Sequence, residues 1–363
     1  MAAAEGFAAV GCAAVEPLAR EAAWLDIWLS QGFHAEMAWM ARSRDDRVAP
    51  GRLLNGAATV VVLAMPYHHP RPPDPGGCTG QVSRYAWGRD YHNVVSKALR
   101  RLQRALASHA PDLTTYASVD TRPVFERAWA VRAGLGYAGR SCCTILPGRG
   151  TYHFLATLVL GASLPPTAPL AANCGTCARC LRACPTGALT APGRLDARRC
   201  LSYLTIEHRG DIPLALRSAM GRRVFGCDTC QETCPPNTAL GNPPAVAGHS
   251  AFAPRPGHAW LDLPALLGET DQALEARLAG SPIRRARATG LKRNACVVLG
   301  NIGDPQALEA LARGLSHRDP MVRRHAAWGA VRCGGLRLIR AARAQERHQA
   351  TREEMERLLT SPV

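Results

Sequence analysis

The stretch CGTCARCLRACPTGAL, residues 174–189, places four cysteines within eleven positions. Cys174, Cys177, Cys180 and Cys184 are followed by Pro185, which gives the spacing C-x2-C-x2-C-x3-C-P. Bacterial ferredoxins use this spacing for 4Fe–4S clusters, and in two-cluster ferredoxins the fourth cysteine ligates the other cluster. The stretch therefore predicts a two-cluster, ferredoxin-like domain, and a second set of cysteines must exist.

The second set is found in FGCDTCQETCPPN, residues 225–237, which repeats the C-x2-C-x3-C-P ending. Its leading cysteine is missing, and Cys200 can take that place. The spacing then assigns one cluster to Cys174, Cys177, Cys180 and Cys234, and the other to Cys200, Cys227, Cys230 and Cys184. Structural zinc also uses C-x2-C pairs, but zinc leaves the C-x3-C-P endings unexplained.

Six further cysteines lack any ligand spacing, and we expect them to be small apolar side chains of the core. They are Cys12, Cys78, Cys142, Cys143, Cys296 and Cys333.

The chain is strongly basic. Its 363 residues include 44 Lys and Arg against 28 Asp and Glu, for a formal net charge of +16. Such an excess favours a polyanionic partner, nucleic acid before membrane, although an arginine-rich proteome would also explain it. No apolar run is long enough to span a membrane, and no secretory leader is visible at the N-terminus. We therefore expect a cytoplasmic protein.

The pattern of apolar residues predicts three domains and a tail. Residues 1–165 read as α/β, with a buried strand at 58–65 and helices at 91–110 and 123–136. The ferredoxin-like domain is predicted at 166–240, behind a proline-rich linker. After a loose stretch at 242–260, residues 255–345 read as helical, and 346–363 as a charged helical tail that either caps the domain or frays.

The helical part is weakly self-similar. KRNACVVLGNIGDPQALEALARGL (292–315) aligns with RRHAAWGAVRCGG (323–335) so that Arg293 matches Arg324. Paired helices with GDP or RDP at their junctions are typical of HEAT-like α-helical repeats.

Two clusters transfer single electrons, so a two-electron reduction needs a further redox cofactor in the first domain. That domain has no G-x-G-x-x-G or P-loop sequence, which gives nucleotide cofactors no support. The segment DYHNVV nearly matches the D-x-H-x-x-G of base-on cobalamin proteins, but Val95 stands in the place of the glycine.

Four stretches together resemble the epoxyqueuosine reductase family. They are SRYAWGRDYH (83–92), VDTRPVFERAWAVRAGLGYAGR (119–140), RRCLSYLTIEHRG with FGCDTCQETCP (198–210 and 225–235), and SPIRRARATGLKRNACVVLGN (281–301). The resemblance covers nearly the whole chain in the same order. It implies an oxidoreductase, a monomer, that reduces epoxyqueuosine to queuosine at the wobble position of tRNA, the last step of queuosine biosynthesis.

The resemblance also implies the cofactors: cobalamin in the α/β domain, bound without a protein histidine on cobalt, and two 4Fe–4S clusters. An unidentified reductant protein of the flavodoxin or ferredoxin type would supply electrons. Two alternatives remain at this point. One is a cobalamin-dependent, reductive dehalogenase-like reductase of a small molecule, and the other is a ferredoxin fused to an RNA-binding scaffold.

The resemblance assigns the proton donor to Asp120, which would need a raised pKa in a desolvated site. The residue types alone favour Asp120 as an N-cap of the following helix. Cobalamin contacts are implied for a larger set: Arg47, Arg84, Tyr85, Asp90, His92, Asp120, Ser202, Asp228 and Thr229. The family pattern Trp-x-Gly-Lys-Asn is expected at 137–141; Gly139 matches it, and the chain departs from the pattern at Tyr137, Arg140 and Ser141, and again at Pro236.

Basic residues cluster at the junctions of the helical repeats, and clustered arginines at helix N-termini suit phosphates. We therefore expect tRNA contacts at Arg284, Arg285, Lys292, Arg293, Arg323 and Arg324. A solvated basic face is the alternative interpretation.

Overall fold

The computed structural model describes residues 1–239 and 247–361, so part of the loose stretch at 242–260 lies outside the described residues. The chain forms two compact units, each assembled from separate segments. Unit 1 comprises Met1–Pro70, Gly88–Arg198 and Asp228–Ala253, and unit 2 comprises Arg71–Trp87, Arg199–Cys227 and Pro254–Val363. This division differs from the predicted boundaries, because the segment 166–240 contributes to both units.

The strands are, in chain order, β1 (Ala9–Ala14), β2 (Thr59–Pro66), β3 (Thr79–Val82), β4 (Thr115–Ser118), β5 (Tyr137–Ala138), β6 (Thr144–Ile145), β7 (His153–Leu160), β8 (Leu189–Ala191), β9 (Arg194–Leu195), β10 (Arg223–Phe225) and β11 (Trp260–Asp262). The helices of the first two thirds are α1 (Ala19–Ser30), α2 (Trp39–Arg42), α3 (Arg44–Val48), α4 (Tyr91–His109), α5 (Glu126–Arg132), α6 (Arg179–Ala183), α7 (Leu201–Ile206), α8 (Leu214–Arg217), α9 (Thr229–Glu232) and α10 (Pro235–Thr238). The C-terminal helices are α11 (Leu263–Gly268), α12 (Asp271–Arg277), α13 (Arg287–Ile302), α14 (Leu308–Leu315), α15 (Pro320–Arg332), α16 (Leu336–Gln345) and α17 (Gln349–Thr360).

Unit 1 is built on a four-stranded antiparallel sheet with the strand order β1-β2-β7-β4. The predicted strand at 58–65 is β2, one of the two central strands, and it is buried along most of its length. Such a run of buried residues means that both faces of the sheet are covered. Helix α5 packs on β1, β2 and β7, with Trp129 fully buried, and α4 packs on β4 and β7.

Helix α4 precedes β4, and helix α5 follows the turn after β4. The predicted helix at 91–110 is α4, which buries Val95, Ala98, Leu99 and Leu102 at helical spacing. The other predicted helix is shorter than expected, because α5 begins only at Glu126. Beyond its end, Gly134 has a φ of 68° and lies so close to the chain that an added Cβ would be 2.4 Å from the carbonyl oxygen of Ala168.

Unit 2 combines a three-stranded sheet, with the order β10-β3-β11, and the C-terminal helices. Strand β3 pairs in parallel with β10 and antiparallel with β11. Helix α15 packs against α13, α14 and α17, as expected for stacked helical repeats. In the predicted tail, α17 buries Thr351, Met355 and Leu358, so this segment caps the repeats and does not fray.

The side chain of Arg293, in the middle of α13, is only 1% exposed. Its guanidinium donates hydrogen bonds to the carbonyl oxygens of Leu204 (2.6 Å), His208 (2.9 Å) and Gly210 (2.6 Å). The neighbouring Asn294 donates to the carbonyls of Thr205 and Val224. One turn of α13 thus satisfies carbonyl groups from the end of α7 and from β10.

Among the helices of the described residues, none has the length and apolar character needed to cross a membrane.

We predict that Arg293→Met lowers the free energy of unfolding by on the order of 3 kcal/mol, because three buried carbonyls are deprived of their donors. For a unit of this size, the melting temperature should fall by roughly 5–10 °C. The matched control is Arg284→Met at a side chain that is 59% exposed, which should change stability by less than about 0.5 kcal/mol. Equal melting temperatures for the two variants, measured by circular dichroism, would contradict this role of Arg293.

Candidate active site

The candidate active site of unit 1 is centred on Asp120, in the turn between β4 and α5. Its backbone adopts a φ of 49°, a left-handed conformation that is uncommon outside glycine. The carboxylate accepts a hydrogen bond at Oδ2 from the Tyr91 hydroxyl (2.5 Å) and pairs with His92 Nε2 (3.0 Å). Helix α5 has Phe125 as its N-cap residue, without a side-chain cap. The N-cap interpretation of Asp120 is therefore wrong, and its carboxylate contacts the start of α4 instead.

His92 lies between two carboxylates. Asp90 is the N-cap of α4, and its Oδ1 accepts from the backbone N–H of His92 (3.0 Å) and contacts the ring Nδ1 (2.8 Å). The other ring nitrogen faces Asp120. Asp90 thus both caps the helix and orients the imidazole of His92. The sequence Asp90-Tyr91-His92 places all three side chains at the start of α4.

An aromatic stack joins the first turn of α4 to the central strand β7. The ring of Tyr91 lies parallel to that of Phe154 in β7, with centroids 4.2 Å apart and an interplanar angle of 5°. Phe154 in turn contacts Tyr67 (4.5 Å) and Phe252 (4.8 Å). Because β7 is a central strand, the stack fixes the Tyr91 hydroxyl with respect to the sheet.

Two further ionisable groups surround Asp120. Arg47, which the resemblance implied, lies with its guanidinium 6.0 Å from the ring centroid of Phe125, and its Nε donates to Ser43 (2.9 Å). Glu126, the first residue of α5, accepts a long hydrogen bond from Ser118 (3.4 Å). Burial raises the pKa of Glu126 to about 7. Sequence reasoning did not identify Glu126 as a residue of this site.

In the protein alone, the pKa of Asp120 is shifted downward, opposite to the direction that a proton donor in a desolvated site requires. Desolvation of the Asp120 carboxylate raises its pKa. The hydrogen bonds from His92 and Tyr91 and the charges of His92 and Arg127 outweigh this effect, so the pKa of Asp120 is lowered. The opposite holds for His92, where burial lowers the pKa but the two carboxylates raise it to about 9. The proton of this site is therefore shared by a pair of residues and does not belong to Asp120 alone.

The predicted ligands of the first cluster all belong to unit 1. Burial raises the pKa of the Cys234 thiol to about 11, and the neighbouring Cys174, Cys180, Cys143 and Cys177 add to the shift, so Cys234 lies near the other three predicted ligands and near Cys143. The backbone N–H of Arg140 donates to Cys174 Sγ (3.5 Å). Among the residues that the structure describes, no group of three or more His, Cys, Asp or Glu side chains is arranged to hold a single metal ion.

Ligands predicted for the second cluster come from both units. Cys184 and Cys230 belong to unit 1, whereas Cys200 and Cys227 belong to unit 2. Within unit 2, the hydroxyl of Ser202 accepts from the backbone N–H of Cys227 (3.1 Å). Ser202 therefore positions the backbone of the predicted ligand Cys227.

The cysteines without ligand spacing are less uniform than expected. Cys296 and Cys333 are buried, as predicted, but the other four are only half-buried. Of these, Cys143 forms a hydrogen bond with the predicted ligand Cys230, and this bond lowers the pKa of Cys143 to about 7. No spacing in the sequence indicates this contact, because Cys143 follows β5 and lies far from Cys230 along the chain.

The remaining residues implied for cobalamin have local structural partners. In unit 2, the Arg84 guanidinium lies 5.0 Å from the Trp87 ring, and Tyr85 lies 6.1 Å from Phe225. In unit 1, Asp228 is buried and its carbonyl accepts from Gln231 N (2.8 Å), while the carbonyl of Thr229 accepts from the Thr233 hydroxyl (3.0 Å).

Most residues expected to contact tRNA are engaged within unit 2. Lys292 is buried and pairs with Asp271 (3.0 Å), and Arg293 bonds buried carbonyls as described. Arg323 and Arg324, whose side chains are less than a fifth exposed, pair with Glu346 (2.6 Å) and Asp211 (3.0 Å). Burial and pairing argue against direct phosphate contacts by these four side chains.

An exposed basic concavity lies on the same unit. It is lined by Arg209, Glu275, Arg284, Arg285 and Arg287. Arg284 and Arg285 were expected from the sequence and are more than half exposed, although Arg285 also pairs with Glu207 (2.8 Å). Arg287 belongs to the same basic cluster of the sequence, whereas Arg209 was missed, since it lies outside the repeat region and only the fold brings it there.

Comparisons with known proteins agree with the domains described above. Three family models match the chain: "Epoxyqueuosine reductase QueG, DUF1730" over residues 47–121, "4Fe-4S double cluster binding domain" over 173–237, and "HEAT repeats" over 272–359. The second of these ranges contains all eight predicted cluster ligands, from Cys174 to Cys234. The predicted fold class, an α/β domain with a two-cluster ferredoxin-like domain and HEAT-like repeats, is confirmed.

Full-length relatives define the family. The chain is 37% identical to the epoxyqueuosine reductase of Xanthomonas campestris, covering 91% of this chain and 93% of the relative. It is 39% identical to that of Pseudomonas aeruginosa, covering 91% of both chains. The crystal structure of an epoxyqueuosine reductase with an epoxyqueuosine-modified tRNA-Tyr stem loop matches at a TM-score of 0.90 and 29% identity, covering 99% of this chain and 97% of that one. The chain belongs to the epoxyqueuosine reductase family.

We predict that Cys174→Ala and Cys234→Ala each remove the same cluster, so that about four of about eight irons remain per reconstituted chain. The double variant should hold as much iron as either single variant, because both cysteines serve one cluster. Cys12→Ala, at a half-buried cysteine without ligand spacing, is the control and should keep all the iron. Iron analysis and electron paramagnetic resonance check this, and absence of both clusters from the double variant would refute the pairing.

Proposed function

We propose that this protein reduces epoxyqueuosine to queuosine at the wobble position of tRNA, the last step of queuosine biosynthesis. The observation that carries the proposal is the left-handed Asp120, whose carboxylate is 60% exposed and bonded to Tyr91 and His92. Strained, non-glycine backbone of this kind concentrates at functional sites. The relatives that share this fold are named for the same reaction, which favours it over reduction of a small halogenated molecule.

Cobalamin is the further cofactor that we propose for unit 1. Both ring nitrogens of His92 are engaged by carboxylates, so this imidazole is not disposed to bind cobalt. That arrangement fits the implied binding of cobalamin without a protein histidine. Asp90, His92, Asp120 and Arg47 would border the bound cofactor in unit 1, and Arg84, Tyr85, Ser202, Asp228 and Thr229 remain proposed contacts. When bound, the cofactor would supply the electrons that open the epoxide.

The chain's own part in the chemistry is proton transfer. Opening an epoxide puts negative charge on its oxygen, and an acid must neutralise that charge. Asp120 is exposed, while its hydrogen-bond partners Tyr91 and His92 hold it in one orientation. As charge develops on the epoxide oxygen, the proton shared with His92 can pass through the carboxyl group to that oxygen.

A Bacillus subtilis epoxyqueuosine reductase has been solved with its catalytic aspartate loop swung out of the active site. That structure is 28% identical to this chain and matches it at a TM-score of 0.88, covering 99% of this chain and 96% of that one.

Electrons would arrive through the two 4Fe–4S clusters. We propose the ligand sets that the spacing gives, with Cys174, Cys177, Cys180 and Cys234 for one cluster and Cys184, Cys200, Cys227 and Cys230 for the other. A flavodoxin- or ferredoxin-type protein would reduce them. We further propose that the protein works as a monomer in the cytoplasm, where tRNA is found.

We predict that Asp120→Asn retains both clusters and bound cobalamin but turns over ~10²–10⁴-fold more slowly, as expected when a positioned acid is removed. Asparagine tolerates the left-handed backbone, so the fold should be unchanged. Mass spectrometry of nucleosides from modified tRNA measures the product. Asp112→Asn, at an exposed aspartate before β4, is the control, and wild-type turnover by the Asp120 variant would remove this residue from the mechanism.

The tRNA surface that we propose is the basic concavity of unit 2, defined by Arg209, Arg284, Arg285 and Arg287. Its guanidinium groups can pair with backbone phosphates, which position a nucleic acid without reading its sequence. This proposal narrows the sequence-based one, because the buried Lys292 and Arg293 and the paired, half-buried Arg323 and Arg324 would act by supporting the repeats.

We predict that Arg284→Ala combined with Arg287→Ala weakens binding of the tRNA stem loop and flattens its salt dependence. Each phosphate that no longer pairs with an arginine should reduce the slope of log K against log salt by about 0.7–0.9. Arg337→Ala with Arg340→Ala, on α16, removes the same charge elsewhere on the repeats and should leave the slope unchanged. Fluorescence anisotropy over a salt series is the measurement. Equal slopes for the two double variants would place the tRNA on another surface.

A further inference from the structure

The proposed reaction consumes more protons than one carboxyl group holds. Conversion of an epoxide to an alkene breaks both C–O bonds, forms a C=C bond and releases the oxygen as water. The balance requires two electrons, which the proposed cofactors supply, and two protons. Asp120 carries at most one proton at a time, so the site must recharge it once in each turnover.

The contacts of His92 fix how many protons the site holds. An ionised carboxylate only accepts hydrogen bonds, whereas a neutral imidazole has one donor and one acceptor nitrogen. Nδ1 of His92 faces Asp90 (2.8 Å) and Nε2 faces Asp120 (3.0 Å). If Nδ1–H donates to Asp90, a second proton must lie between Nε2 and Oδ2 for that contact to be a hydrogen bond. The geometry therefore stores one transferable proton in the His92–Asp120 pair.

We propose that His92 is a positioning residue that recharges Asp120 with protons through the Nε2–Oδ2 hydrogen bond, so that one carboxyl group delivers both protons of the reaction. The inference rests on the proposed function. The first proton passes from the pair to the epoxide oxygen and leaves neutral His92 beside ionised Asp120. The imidazole, 34% exposed, then takes a proton from solvent and passes it to Asp120, which protonates the departing hydroxyl group.

The charges around the pair favour the protonated state at neutral pH. Asp90 and Asp120 face the imidazole from the helix start and from the turn, and together they raise the pKa of His92 to about 9 against the effect of burial. Arg127 stabilises the ionised Asp120, while Glu126 and Arg47 also face this region. Since the pKa of the histidine is raised, the shared proton is present below pH 9 and dissociates as the pH rises through that value.

The experiment compares His92→Gln with the wild type, both fully reconstituted, over pH 5–10. Glutamine keeps hydrogen-bonding capacity but cannot carry a proton. We expect wild-type kcat/KM to fall only above about pH 9, whereas the variant should be ~10²-fold slower at pH 8 and recover toward acidic pH, where Asp120 is protonated directly. His109→Gln, at the exposed far end of the same helix, is the matched control and should follow the wild type. A His92→Gln profile parallel to that of the wild type would overturn the proposal.

A second measurement does not depend on activity. In the protein without cofactors, the His92 ring should titrate near pH 9 by nuclear magnetic resonance, and Asp120→Asn should shift this titration to lower pH by a unit or more, roughly the effect of a close carboxylate. Titration of His92 near its ordinary value in the wild type would also overturn the proposal. If the titration is as expected but the wild type leaves epoxyqueuosine unchanged, the proposed function fails, and the proton relay fails with it as a catalytic device.

Discussion

Gln231 makes the contact on which the arrangement of unit 1 depends. It lies between the predicted ligands Cys230 and Cys234, and its side-chain oxygen accepts from the hydroxyls of Tyr67 (3.4 Å) and Thr151 (2.8 Å). Tyr67 follows β2 and Thr151 precedes β7, so the cysteine loop is tied to the two central strands. The same strand β7 carries Phe154, on which Tyr91 stacks. One sheet thus holds both the loop of predicted cluster ligands and the residues that orient Asp120, the proposed acid, and such rigid support is what a redox site requires.

Unit 2 uses arginine side chains in a comparable way. Arg293 fills the space between α13 and the carbonyl groups at the end of α7, while Arg323 pairs with Glu346 in front of α17. Guanidinium groups suit this task because they offer five donors in a fixed plane. Part of the formal charge of +16 is therefore used inside the protein. The polyanion would meet only the exposed fraction of that charge.

Sequence reasoning succeeded where the relevant interactions are local. The ferredoxin spacing, the strand β2 and the amphipathic helix α4 each depend on residues within about 20 positions of one another. It failed where the partner comes from elsewhere in the chain. The pKa of Asp120 depends on His92, and the burial of Lys292 depends on Asp271, and neither pair follows from a motif. Cys143 and Arg209 were missed for the same reason. Asp120 itself was identified only through the family resemblance, since its residue type and position alone favour a helix cap.

The left-handed backbone at Asp120 also limits how this position can vary over evolutionary time. Among residues with a side chain, aspartate and asparagine enter that conformation most readily, and β-branched or bulky residues do so with difficulty. Aspartate combines this tolerance with a carboxylic acid group. Glutamate would retain the acid but extend it by one methylene and adopt the turn less easily. The conformational and the chemical requirements therefore select the same amino acid, and natural variation at residue 120 should be narrower than either requirement alone would allow.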